Sequence, residues 1–230
     1  MQSFKFLLVL ISQIVSVSRV ISCPSKCRCF NDDMVVHCDG KGLDSIPFNV
    51  PSQVQLLMMN NNSITTIYPL AFQDLPKVIS INLEQNKLQH IYPIFTNFPD
   101  LKWVIFKKNL LTKIDLDHFL KLQKLEYLDL SFNGIESVLI NEVIIPSQLL
   151  TLDLTGNPLD CCKVKPLINV TNISILGKCH SPTEVNGTDI DSFGAQSICI
   201  DIDEINSSVK ANVLVSLNFI VFAAMLTGII

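Results

Sequence analysis

The chain has 230 residues, enough for one domain of ordinary size, and its net charge of −4 argues against the basic face that nucleic-acid binding requires. The hydrophobic content of 48% overstates the folded core, because apolar residues concentrate at both ends of the chain. We therefore expect one folded domain between two apolar terminal segments, with no nucleic-acid partner.

An apolar stretch near the N-terminus, residues 6–17, follows Lys5 and precedes small residues. A basic start, a short apolar core and small residues near the cut are typical of a secretory signal peptide. We predict that residues 1–22 form this signal, with cleavage just before Cys23 or after Ser18. A signal anchor kept in the membrane is the alternative, but the run is shorter than the ~20 residues that a span needs.

All eight cysteines lie beyond the signal peptide, in two groups of four. The first group is Cys23, Cys27, Cys29 and Cys38, and the second is Cys161, Cys162, Cys179 and Cys199. An even number of cysteines in a secreted chain indicates disulfides, and the spacing leaves three pairings open within each group. Zinc is the rival, but thiolates are oxidised in the secretory pathway. We expect no metal and no cofactor.

Five N-glycosylation triplets support the same compartment. Their acceptors are Asn61, Asn169, Asn172, Asn186 and Asn206. A single triplet is weak evidence, but three of them fall between residues 169 and 188. This concentration predicts an exposed, glycosylated C-terminal region.

A pattern of the form L-x-x-L-x-L-x-x-N-x-L repeats between the cysteine groups. The copies begin 24, 23, 24 and 24 residues apart, at Val54, Val78, Leu101, Leu125 and Leu149. The alternation predicts a short strand in each copy, with Leu57 and Met59 pointing inward and Met58 and Asn60 outward. No copy buries its apolar side alone, so stacking must do it.

An asparagine recurs where the chain leaves each predicted strand, at Asn62, Asn86, Asn109, Asn133 and Asn157. Its amide can pair backbone groups of its own and the neighbouring coil, which the buried turn would otherwise leave without partners. We therefore interpret these asparagines as structural and not catalytic.

The repeats resemble the leucine-rich-repeat family. This resemblance implies an α/β solenoid, a curved horseshoe with a parallel β-sheet on its concave face. The cysteine-rich segments at the two ends are similar to the caps of extracellular members, and solenoids need such caps to cover their exposed core. By that resemblance the disulfides would be Cys23–Cys29, Cys27–Cys38, Cys161–Cys179 and Cys162–Cys199.

One departure from the family pattern concerns the second cap, in which Cys161 and Cys162 are adjacent although a residue usually separates them. The pairing partner of Cys179 is therefore open between the two, and a vicinal Cys161–Cys162 bridge is a further alternative.

The sequence thus predicts six segments along the chain. In order, they are the signal peptide 1–22, the N-terminal cap 23–53, the repeats 54–156, the C-terminal cap 157–200, the stalk 201–212 and the apolar tail 213–230.

The apolar tail, residues 213–230, follows a short polar spacer and three small residues at Asn206–Ser208. This order is typical of a glycosylphosphatidylinositol (GPI) signal, with Asn206 or Ser207 as the attachment residue, although the spacer is shorter than the usual ~8–12 residues. A membrane span and a secreted form are the alternatives. We expect membrane attachment at the cell surface through this C-terminal anchor.

Outward-pointing strand residues define the concave face, which is the usual ligand face of such solenoids. The candidate partner-binding residues there are Leu56, Met58, Trp103, Ile105, Lys107, Tyr127, Asp129 and Asp153. With strands ~4.8 Å apart, the apolar members could form a partly continuous patch around the only tryptophan. The alternatives are that Trp103 packs on its neighbours or that the register slips by one residue.

Asp129 and Asp153 fall in one column on consecutive strands. Such carboxylates could act as acid and base, but the sequence has no nucleophile elbow, phosphate loop or metal-ligand spacing. We interpret them as solvated or as contacts for a basic partner, and Lys107 as solvated or a contact for an acidic ligand. We predict that the chain is not an enzyme.

Three classes of function remain. The first is a protein-binding module at the cell surface: an adhesion protein, a ligand-binding receptor, or a co-receptor whose partner is a transmembrane protein. The second is an immune recognition receptor similar to variable lymphocyte receptors, although the stalk here is shorter and acidic. The third is a matrix protein or an accessory subunit of a membrane complex.

Overall fold

A computed structural model describes residues 23–140, 146–168, 173–193 and 199. The chain divides into two compact units, residues 1–194 and residues 195–230, and Cys199 is the described part of the second. Several predicted features lie outside the described residues: the signal peptide, the stalk, the tail, the glycosylation sites Asn169, Asn172 and Asn206, and the attachment residue Ser207.

Short strands dominate the described residues, and most have three residues. They are β1 Arg28–Phe30, β2 Val35–His37, β3 Leu56–Met58, β4 Ser80–Asn82, β5 Trp103–Ile105, β6 Lys113–Asp115, β7 Tyr127–Asp129, β8 Ser137–Leu139, β9 Thr151–Asp153, β10 Leu159–Asp160, β11 Ser174–Leu176 and β12 Cys179–Ser181. The helices are α1 Cys161–Ile168, α2 Ile190–Phe193, and 3₁₀ turns at Leu116–Phe119 and Thr183–Val185.

One eight-stranded sheet runs through both caps and the repeats in the order β1-β2-β3-β4-β5-β7-β9-β11. The first pair is an antiparallel hairpin, and the other pairs are parallel. The predicted strand of every repeat is present, and Trp103 pairs with Ser80 on one side and Tyr127 on the other. The parallel solenoid and its register are therefore confirmed, and a one-residue slip is excluded.

The central residue of each repeat strand points into the core, where none of these side chains has measurable solvent exposure. They are Leu57, Ile81, Val104, Leu128 and Leu152. Flanking strand residues point the other way, as alternation requires. We call the surface that those flanking residues form the outer face of the sheet, and it is the face that the sequence predicts to be concave.

The segments that connect each repeat strand to the next contain little regular secondary structure in the described part. A 3₁₀ turn lies in the third copy, and β6 pairs with β8 in a second, parallel sheet. Buried aromatic rings fill the space behind the strands, with Phe95 packing against Phe98, Phe106 and Phe119 at centroid distances of 5.3–6.4 Å. The helical component of the predicted α/β solenoid is therefore confined, among described residues, to the 3₁₀ turns and the C-terminal cap.

The repeated asparagines bind adjacent coils together. The Asn109 amide donates to the carbonyl of Phe106 in its own coil (2.9 Å) and to that of Leu83 in the preceding coil (3.0 Å). Its Oδ1 accepts from the Leu88 N–H at 3.0 Å. Equivalent bonds form at Asn62, Asn86, Asn133 and Asn157. The predicted structural role is confirmed.

A residue in the left-handed backbone conformation immediately precedes each of these asparagines. The series is Asn61, Gln85, Lys108, Phe132 and Gly156, with φ between 53° and 71°. Positive φ is uncommon outside glycine, so the hydrogen-bonded asparagine that follows must stabilise the turn. In the last coil glycine also leaves room for Phe132, because a Cβ on Gly156 would lie 2.8 Å from that ring.

Disulfides hold both caps. The structure contains Cys23–Cys29 and Cys27–Cys38 in the N-terminal cap and Cys161–Cys179 in the C-terminal cap, which are pairs that the family resemblance implies. Cys162 and Cys199 are also disulfide-bonded. The partner of Cys179 is therefore Cys161, and a vicinal bridge is excluded.

Among the described residues, no helix has the length and apolar character needed to cross a membrane.

Replacing Asn109 with alanine should destabilise the solenoid, because the Leu88 N–H would lose its side-chain acceptor and the Leu83 and Phe106 carbonyls would each lose one of the two asparagine amides that donate to them. We expect a loss of at least about 2 kcal/mol and a Tm lower by about 4–8 °C. Thermal melts followed by circular dichroism measure it, with the exposed Asn97→Ala as the matched control. Equal melting of the two variants would contradict the ladder.

Candidate functional site

The outer face consists of parallel columns of side chains from successive strands. Two columns cross the sheet, with the first containing Leu56, Ser80, Trp103, Tyr127 and Thr151 and the second Met58, Asn82, Ile105, Asp129 and Asp153. Lys107 belongs to the following column, beyond the end of β5. The structure thus brings seven of the eight predicted partner-binding residues onto one face of one sheet, and Lys107 lies just past the end of β5.

Apolar side chains on this face form two groups, one on β3 and one on β5. The β3 group includes Leu56, which is 37% exposed. The β5 group consists of Trp103, which is 39% exposed, and Ile105 beside it. Ser80 and Asn82 of β4 separate β3 from β5, so the two groups lie about 10 Å apart at ordinary strand spacing. The predicted patch is therefore interrupted by one polar strand, and its larger part surrounds Trp103.

Three polar side chains of the second column each cap the end of their own strand. Asp129 Oδ1 accepts from the Ser131 N–H at 2.9 Å, and Asp153 Oδ1 accepts from the Thr155 N–H at 2.9 Å. Asn82 makes the same bond to Glu84 at 2.8 Å. Each aspartate thus uses its Oδ1 to accept a hydrogen bond from the backbone of its own coil.

Asp129 is buried, with 6% of its surface exposed, whereas Asp153 is partly exposed. The sequence predicts a solvated carboxylate or a contact for a basic partner at both positions, and the structure leaves only Asp153 open to solvent. Beside them, the Tyr127 hydroxyl donates a long hydrogen bond of 3.5 Å to Asp129 Oδ2. Burial, followed by the charges of Asp129 and Asp153, raises the pKa of Tyr127 from 10.0 to about 12.

Lysines around the face are already engaged. Lys102 pairs with Glu126 at 2.7 Å, and its Nζ also lies 5.8 Å from the Trp103 ring centroid. Lys108 pairs with Glu84 at 3.2 Å. The Nζ of Lys107 lies 5.4 Å from the centre of the Phe132 ring, a cation–π distance.

Phe132 is a surface residue that the repeat pattern does not single out, and 51% of it is exposed beside the end of β7. The pattern treats its position as variable, since only the following asparagine is constrained. An aromatic residue at a repeat position that otherwise holds Asn, Gln, Lys or Gly was the available signal.

Two predicted glycosylation acceptors fall in the described part, and both are exposed. Asn61 lies in the turn that follows β3, and Asn186 lies in the C-terminal cap. Within the described residues, no group of three or more His, Cys, Asp or Glu side chains is placed to hold a metal ion.

The sequence profile of the leucine rich repeat family matches residues 41–88, 52–103 and 99–159, which together cover just over half of the chain. With the solenoid, the ladder and the capping disulfides, this match shows that the chain belongs to the leucine-rich-repeat family.

Relatives of the chain include one protein that is named as receptor-like. The chain is 31% identical to rat "Reticulon-4 receptor-like 2" over 111 residues, covering 47% of this chain and 26% of that protein. It is 31% identical to mouse "Podocan" over 138 residues (59% and 22%) and 28% identical to human "Leucine-rich repeats and immunoglobulin-like domains protein 1" over 116 residues (50% and 10%). The chain thus spans about a quarter or less of each of these proteins.

The raised pKa of Tyr127 is testable in a variant with both other tyrosines changed, Tyr68→Phe and Tyr92→Phe. Absorbance at the phenolate band should report ionisation near pH 12, and adding Asp129→Asn should lower that pKa because one charge is removed. In the unfolded chain the phenol ionises near 10, so stability should fall as pH rises from about 10 to about 12. Ionisation near pH 10 in the folded chain would show that neither burial nor the two aspartates act on the Tyr127 phenol.

Proposed function

We propose that this chain is an extracellular protein-binding module that acts at the cell surface as a ligand-binding receptor, co-receptor or adhesion protein, without catalytic activity. The observation that carries the proposal is the exposure of Trp103 in the middle of the outer face, beside Ile105 and Tyr127. Large aromatic side chains supply much of the binding energy of protein interfaces.

The rigidity of the face supports this role. Each strand is only three residues long, but its central side chain is buried and its end is tied to the neighbouring coil by the asparagine ladder. A surface that does not reorganise on binding loses less conformational entropy, so the same contacts give higher affinity.

The disulfides and the relatives support an extracellular location. Disulfides such as Cys23–Cys29 and Cys161–Cys179 persist in oxidising surroundings and are rare in the cytosol. A relative named as receptor-like agrees with an extracellular, ligand-binding role.

Attachment to the membrane is the finer part of the proposal. We infer a GPI anchor at Asn206 or Ser207 from the small residues there and the apolar segment 213–230. A protein held in this way would act through a transmembrane co-receptor.

Trp103→Ala should weaken binding to the physiological partner by more than ~2 kcal/mol, or about thirtyfold. Partners are first identified by proximity labelling on cells that display the full-length chain, and their affinities are then measured for each variant. Tyr68→Ala is the matched control, because it removes an exposed aromatic that lies outside the outer face. Equal affinity of the wild type and Trp103→Ala would place the binding site elsewhere.

Phosphatidylinositol-specific phospholipase C should release the chain from intact expressing cells into the medium, because it cleaves the lipid of a GPI anchor. A variant with leucine at Asn206, Ser207 and Ser208 is the control, since bulky residues block anchor attachment. If the wild type stays on the treated cells with residues 213–230 still present, the anchor is a membrane span.

A further inference from the structure

The acidic part of the outer face consists of two aspartates for which the described residues provide no ion pair. Asp129 and Asp153 are paired positions on adjacent strands β7 and β9, and neither forms an ion pair with a described residue. Two carboxylates on adjacent strands present like charge at one place on the face, and Asp129 is 6% exposed. This arrangement is complementary to an incoming positive charge.

The nearby lysines do not supply that charge. Lys102 and Lys108 are held by Glu126 and Glu84, and Lys107 lies over the ring of Phe132. Among the described residues, the carboxylates of Asp129 and Asp153 are therefore the charged groups of this face that have no ion-pair partner.

A buried hydroxyl beside the carboxylates provides a second, independent observation. Ser131 is 1% exposed, and its Oγ has no hydrogen-bond partner within the described part of the chain. Its N–H donates to Asp129 Oδ1 at 2.9 Å, and alternation along the strand places it on the same side as Asp129. A buried polar atom without a partner is rare, so its presence here points to a hydrogen-bonding group that arrives from outside.

Aromatic and apolar surface borders these acceptors. Trp103 and Ile105 lie on the neighbouring strand β5, opposite Tyr127 and Asp129 respectively. A guanidinium group suits this combination, because it forms bidentate hydrogen bonds with carboxylates and stacks on aromatic rings.

We propose that the outer face binds a protein segment that inserts an arginine side chain beside Asp129 and Asp153, while apolar residues that flank this arginine pack on Trp103 and Ile105. This inference rests on the proposed function, since it assumes that the outer face binds a protein.

A divalent cation fits the arrangement less well. Asp129 and Asp153 each commit one oxygen to a backbone N–H, and the second oxygen of Asp129 accepts a long hydrogen bond from the Tyr127 hydroxyl. Calcium takes six to eight oxygen ligands, and no third acidic or histidine ligand is placed with them in the described part of the chain.

The test selects peptides on cells that display the full-length chain, from a phage library of random twelve-residue sequences, with cells lacking the chain for counter-selection. Selected peptides are then measured on the wild type, on the double variant Asp129→Asn and Asp153→Asn, and on Trp103→Ala. Asparagine retains the oxygen that caps the strand, as Asn82 does in the same column. Asp44→Asn with Asp74→Asn removes two exposed charges outside the face and is the matched control.

We expect enrichment of peptides in which an arginine has apolar neighbours. Their affinity should fall at least tenfold on the Asp129/Asp153 double variant and on Trp103→Ala but not on the control, and replacing the arginine with citrulline should cause the same loss. Loss of binding in EDTA would instead assign the carboxylates to a divalent cation and overturn the proposal.

The remaining outcomes separate this inference from the proposed function. Peptides that need Trp103 but bind the Asp129/Asp153 double variant unchanged would overturn the arginine site and leave the outer face as the binding surface. Peptides that bind independently of Trp103, or no enrichment at all, would count against both.

Discussion

The structure depends on one hydrogen-bonded side-chain amide, repeated at a fixed position in successive coils. A coil of this solenoid has too few residues to bury its own apolar side, and its turn leaves backbone groups without partners in the interior. Asn86 and Asn109 solve both problems, because each joins a carbonyl of its own coil to a carbonyl and an N–H of the preceding one. The amide therefore fixes the stacking of the coils, and the stacking in turn fixes which side chains meet on the outer face.

The outer face combines a rigid framework with side chains that the framework does not need. Val104 at the centre of β5 is fully buried in the core, whereas Trp103 beside it is 39% exposed and contributes little to the core. Asp129 differs from both, because it caps its strand through one oxygen and leaves the other beside Tyr127. Asp129 therefore has a structural role in its own coil, and the proposed arginine site would add a binding role to the same residue.

Periodicity predicted the strands, their register and the asparagine ladder, because stacking imposes one residue type at one spacing. It could not predict the burial of Asp129, which depends on lateral neighbours in its own coil and the adjoining ones. The second sheet of β6 and β8 was also missed, since its strands lie in segments whose sequence varies between copies. The addition of β11 from the C-terminal cap to the main sheet had no repeat pattern to indicate it.

The central claim is that the outer face around Trp103 binds a protein partner. Because the chain has a single tryptophan, oxidative footprinting of that residue reports on this face alone. The measurement compares tryptophan oxidation in the chain on intact cells that contain its partner with oxidation in the purified chain. The account predicts strong modification of Trp103 in the purified chain and protection on the cells. Equal modification in both states, with partner binding verified by co-purification, would contradict it.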